Sequence, residues 1–100
     1  MSSRPSRLTE DQITAGLAGL PGWRREGAVI TRTADAADFP AAIRTVVEVA
    51  EVAEEMDHHP DIDIRWRTLT FALSTHSEGG LTSLDLQLAA RIDELLARHA

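Results

Sequence analysis

The sequence predicts an α+β domain of order α-β-β-α-β-β-α, its four strands in one antiparallel sheet with the helices packed on one face. Three observations lead there. In three segments the apolar residues recur at steps of three and four, the period of amphipathic helices. Between those segments they alternate with polar residues, the period of strands buried on one side only. The 100 residues suffice for one core and little more.

Residues 1–8 read as a flexible N-terminal arm and residues 9–100 as a single domain. Thr9-Glu10-Asp11-Gln12 fits a capping box, in which the threonine accepts from the backbone at Gln12 and the glutamine reaches back. Ile13, Leu17 and Leu20 give the first helix its apolar stripe, and Gly19-Leu20-Pro21-Gly22 ends it. Trp23 to Thr33 reads as a hairpin with Glu26-Gly27 at its turn. Asp38 caps the second helix, with Pro40 tolerated in its first turn. Phe39, Ile43, Val46, Ala50, Ala53 and Met56 form its predicted core stripe, and the helix must stop before Pro60.

Ile62, Ile64 and Trp66 alternate with Asp61, Asp63, Arg65 and Arg67, which places Trp66 on the packed face of a strand. Leu69, Phe71 and Leu73 then alternate in the opposite phase. A one-residue slip turns every side chain over, so a tight turn centred at Arg67-Thr68 keeps both apolar sets on one side of a hairpin. Glu78-Gly79-Gly80 is a loop. Thr82-Ser83-Leu84-Asp85 caps the last helix, whose apolar face is Leu84, Leu88, Ile92, Leu95 and Leu96.

Composition excludes several classes of function. A formal net charge of −6 opposes binding to a phosphate backbone. Arg4, Arg7, Arg24 and Arg25 read as solvated surface. The absence of cysteine removes disulfides, thiolate nucleophiles and cysteine–zinc sites together. Met1 to Arg7 lacks the apolar region of a secretory signal, and no apolar run approaches the ~20 residues that span a bilayer. The expectation is a cytoplasmic protein with no membrane or nucleic-acid partner.

Chemistry concentrates in Glu54-Glu55-Met56-Asp57-His58-His59-Pro60, together with Trp66, His76 and Asp85. Imidazole titrates near neutral pH, so histidines beside carboxylates are a ready source of acid–base chemistry. The predicted turn pairs His59 with His76 across the hairpin, with Cβ atoms ~5 Å apart. Glu54 lies one helical turn before His58. Asp85 is most simply the N3 carboxylate of a capping box.

The pattern Glu54-x3-His58-His59-Pro60-x5-Trp66-x9-His76-x8-Asp85 resembles the signature of the pterin-4a-carbinolamine dehydratases, also called 4a-hydroxytetrahydrobiopterin dehydratases. The similarity runs from Leu8 to the C-terminus and takes in Leu20-Pro21-Gly22-Trp23, Ser74-Thr75-His76 and Leu81-Thr82. Some members carry a basic residue before the aspartate; this chain has Leu84. The resemblance implies a hydro-lyase that removes water from a 4a-hydroxytetrahydropterin to give quinonoid dihydropterin, in the recycling of a tetrahydrobiopterin-type cofactor. It implies His58 and His76 as general acids, His59 positioning the pterin or sharing the proton traffic, and Glu54 holding a histidine in its working tautomer. Asp57, Pro60, Trp66, Ser74, Thr75 and Asp85 are implied as supporting or substrate-binding residues. The pterin is substrate, and no cofactor or metal is implied. A homodimer or homotetramer and a functional link to an aromatic amino-acid hydroxylase are implied partners.

Two other readings compete. His58, His59 and His76 could supply three nitrogens to zinc, with Asp57 or Glu54 as a fourth ligand, but adjacent histidines on an extended segment point to opposite sides. A non-catalytic oligomeric interaction protein of the same fold would not need all three histidines.

Overall fold

A computed structural model describes residues 6–100 of the chain. It contains α1 (Glu10–Ala18), β1 (Arg24–Glu26), β2 (Val29–Asp35), α2 (Phe39–Met56), β3 (Asp61–Arg65), β4 (Thr68–Leu73), a 3-10 turn (His76–Glu78) and α3 (Ser83–Arg98). This is the predicted α+β order. The four strands form one antiparallel sheet in the spatial order β1-β2-β4-β3. Thus β2 and β4 are central, and the two hairpins pair with each other through them.

The caps are those that the sequence implies. Thr9 and Gln12 exchange bonds as a capping box, as do Thr82 and Asp85, and the Asp38 side chain accepts from Ala41 N–H. Residues 1–5 of the predicted arm lie outside the described residues. Leu8, at the other end of that arm, donates its N–H to Leu81 O at 2.9 Å and packs against the core. Ile30, Leu69, Phe71 and Leu73 from the sheet meet Val49 of α2 and Leu88 and Ile92 of α3 in a fully buried centre.

Two expectations are corrected. The buried face of α2 is Ala41, Ala42, Thr45, Val49, Val52 and Ala53, whereas Phe39, Ile43 and Ala50 of the predicted stripe are exposed. Both faces of α2 are apolar, so periodicity alone cannot choose. The alanine-rich face wins because small side chains bring the helix close to its neighbours. The second correction concerns the β3–β4 turn. Arg65 pairs with Thr68, so Trp66 and Arg67 are the turn residues and the register is displaced by two from the predicted one. Trp66 takes a left-handed conformation, φ 55°, and is 70 % exposed instead of packed. Its ring lies beside the Arg67 guanidinium, 5.1 Å from centroid to Cζ. The phase reversal itself stands: Ile62 faces Phe71 and Ile64 faces Leu69 on the helix side of the sheet.

Candidate active site

The site forms where the chain passes from the end of α2 into β3. Asp57, at the C-cap of α2, adopts a left-handed conformation (φ 50°), and its N–H returns to carbonyls of the last turn. His58 N–H then bonds to Ala53 O at 3.0 Å. This reversal sends the two adjacent histidines in opposite directions. His58 turns inward and is buried; His59 turns outward and stays exposed. Asp57 itself is exposed, and its place is explained by the helix terminus, since short polar side chains tolerate this conformation best among non-glycine residues.

The carboxylate partners differ from those predicted. Glu54 reaches His59, not His58, with Oε2 against Nε2. His58 Nε2 instead meets Asp85 Oδ1 at 2.6 Å in a buried pair. The other Asp85 oxygen accepts from Thr75 Oγ1 at 2.7 Å and from Thr82 N–H at 2.9 Å. The Thr75 and Thr82 hydroxyls are 2.8 Å apart. Asp85 therefore caps α3 and holds His58 at the same time; spacing alone reveals only the cap. Thr82, which the spacing marks only as a helix cap, is also a member of this buried network.

His59 and His76 are not opposed in the β3–β4 register, because β3 starts at Asp61 and His76 lies beyond β4 in the 3-10 turn. They nevertheless line one cleft, together with Val29, Asp61, Ala72, Leu73 and Ser74. The register places Thr31, Ala72 and Asp61 side by side, so alternation puts Val29 and Ser74 on that same open face. The cleft holds about 20 Å³, close to the smallest space that accepts one water-sized group. Ser74 Oγ donates to Ala28 O at 2.7 Å and ties the wall to the β1–β2 turn. Pro60 connects His59 to β3 and is half-buried, and Trp66 stands at the far end of β3 from the cleft.

The arrangement offers two carboxylate-backed imidazoles, His58–Asp85 in the interior and His59–Glu54 at the cleft, and a third imidazole, His76, that also lines the cleft. A carboxylate on one ring nitrogen selects the tautomer and orients the ring for proton exchange at the other. Among the described residues no group of three or more histidine, aspartate or glutamate side chains is placed to hold a metal ion. His58 and His59 turn in opposite directions, one buried and one exposed. No helix among the described residues is long and apolar enough to cross a membrane.

Fold and site together define a small α+β domain with a histidine-lined cleft at the end of its sheet. A sequence model of the family described as "Pterin 4 alpha carbinolamine dehydratase" matches residues 6–95, and the chain belongs to that family of hydro-lyases. A protein of Mycobacteroides abscessus is 59% identical over 91% of this chain and 97% of its own. One of Nocardia farcinica is 60% identical over 88% of this chain and 93% of its own; both are named "Putative pterin-4-alpha-carbinolamine dehydratase". Among solved structures, a transcriptional coactivator/pterin dehydratase from Brucella melitensis superposes with a TM-score of 0.88 at 33% identity. It covers 91% of this chain and 99% of the other. A pterin dehydratase-like protein described as a RuBisCO assembly factor in the alpha-carboxysome shares the fold, with a TM-score of 0.61 at 17% identity over 74% of this chain and 86% of its own.

Proposed function

We propose that this protein dehydrates a 4a-hydroxytetrahydropterin to quinonoid dihydropterin, using its histidines as general acids and bases. The observation that carries this reading is the cleft shared by His59 and His76, with Glu54 fixed on His59. A flat bicyclic ring cannot enter a space of about 20 Å³. It lies across the mouth, with the 4a hydroxyl reaching inward.

Hydroxide is a poor leaving group. As the C4a–O bond breaks, the electron pair leaves with oxygen, and an imidazolium proton converts it to water. A neutral imidazole takes a ring N–H proton, whose bonding electrons form the new double bond. Such proton transfers contribute typically ~10²–10⁴-fold each. His76 and the Glu54-backed His59 stand at the surface where the ring would lie. His58, buried and held at Nε2 by Asp85, does not line the cleft and supports it from behind. Ser74, Pro60 and Asp57 shape the wall and the chain reversal. The pterin is the substrate, and the protons come from the protein's own side chains. The pathway is the recycling of a tetrahydropterin oxidised by an aromatic amino-acid hydroxylase.

The same domain is proposed to act as a homodimer or homotetramer. Phe39, Ile43 and Val47 leave an apolar stripe exposed on α2, a face that association would cover.

The direct test follows dehydration of 4a-hydroxytetrahydropterin by absorbance. His59→Ala and His76→Ala should each lower turnover by about 10²-fold or more with the fold retained. Wild-type rates in both variants, or no acceleration over buffer by the wild type, would overturn the reading.

A further inference from the structure

A second cavity, of about 210 Å³, lies beside the histidine cleft and takes no part in the chemistry above. Its floor is apolar, from Leu8, Ile13 and Leu81, and its rim carries Arg7, Arg25 and Glu10. Two of these three charges are committed to each other. Arg25 grips the Glu10 carboxylate through both terminal nitrogens at 2.8 and 2.9 Å, and its Nε donates to Gly27 O. That guanidinium holds the Glu10 carboxyl below the usual glutamate range, first by its hydrogen bonds and then by its charge.

Arg7 is different. Among the described residues it makes no ion pair or side-chain hydrogen bond, and residues 1–5 contain no carboxylate. Its stem lies over Gly80: a Cβ there would stand 3.0 Å from Arg7 Nε. The rim thus carries one uncompensated guanidinium, whose planar fork suits carboxylate and phosphate oxygens.

The cavity and the cleft are lined by residues that are neighbours in the chain. Ala28 lines the first and Val29 the second; Gly79 and Gly80 line the first, and Ser74 and His76 the second. Thr75 and Gly80 exchange backbone bonds of 3.1 and 3.4 Å, which closes the loop between them on itself. The intervening 3-10 turn has three residues and so advances about 6 Å. Pockets for a whole small-molecule ligand run ~300–1,000 Å³, so about 210 Å³ suits a substituent better than a second ring.

We propose that this cavity receives an anionic group, a phosphate ester or a carboxylate, at the end of the substituent on the pterin ring, with Arg7 as the cation that selects it. The assignment rests on the dehydratase reading. The test compares kcat/KM for three 4a-hydroxytetrahydropterins, whose side chains are a neutral polyol, the same polyol as its phosphate ester, and a carboxylate-terminated chain.

The wild type should favour one anionic substrate over the neutral one by about tenfold, the worth of one solvent-accessible charge-assisted bond. The preferred anion separates phosphate from carboxylate. Added KCl should shrink the preference, Arg7→Gln should abolish it, and Arg7→Lys should keep most of it. Equal kcat/KM for all three substrates, or an unchanged preference in Arg7→Gln, would refute the subsite while leaving the dehydratase standing. Failure to accelerate any of the three is a separate outcome that overturns the dehydratase reading and the subsite with it.

Discussion

Asp85 offers the most demanding test of how this site is built. Replacing it with alanine removes three bonds from a fully buried position: those from Thr75 Oγ1, Thr82 N–H and His58 Nε2. Thr75 keeps its contact with the Thr82 hydroxyl at 2.8 Å, so its loss is small. The lost N-terminal bond of α3 costs about 1 kcal/mol. The buried His58 ring, left without its carboxylate, costs about 2–4 kcal/mol, between a lost buried hydrogen bond and a broken buried ion pair. The total is about 3–5 kcal/mol, a large share of the ~5–15 kcal/mol that holds such a domain folded.

Urea unfolding monitored by circular dichroism should show the midpoint falling at nearly constant slope. In a His58→Ala background the same substitution should cost less, by a coupling of about 1–3 kcal/mol. A loss under about 1 kcal/mol, or strict additivity of the two substitutions, would refute the view that Asp85 joins the cap of α3 to the buried histidine. It would reduce Asp85 to an ordinary capping residue.

Two further outcomes are expected. The Glu48 carboxyl is held below the usual glutamate range, chiefly by its hydrogen bond from His99, then by the charges of His99 and Arg98. A lowered folded pKa gives stability that is complete above the ordinary glutamate value of ~4.3 and is lost as the pH falls through the lower folded value. The Tm gap between wild type and Glu48→Gln should therefore be full at pH ~5.5 and close toward pH ~3, and a gap that widens on acidification would contradict the assignment. Val47, 52 % exposed in the apolar stripe of α2, is the place to test association. Sedimentation should show Val47→Glu as a folded monomer where the wild type is a dimer or tetramer; a monomeric wild type would end the proposal.

Legibility followed the range of the interactions involved. The capping boxes at Thr9 and Thr82, the Asp38 cap and the stop before Pro60 are contests among residues a few positions apart, so spacing alone decides them. The helix periods of α1 and α3 and the phase reversal between Ile64 and Leu69 are equally local, and together they carry the fold class. The fixed spacing from Glu54 to Asp85 carried the family.

The register of β3 on β4, the buried face of α2 and the partners of the histidines were decided only in three dimensions. A turn at Trp66-Arg67 requires a left-handed tryptophan, a conformation that no residue type at that position announces. The buried face of α2 depends on which stripe its neighbours can approach, and alanines allow the closer contact. Asp57 reverses the chain at the end of α2, sends His58 toward Asp85, and leaves His59 for Glu54 and the cleft with His76. The residue types of the site were written in the sequence. The pairing of His58 with Asp85 came from packing, because a buried imidazole and a buried carboxylate must satisfy each other once water has been excluded from both.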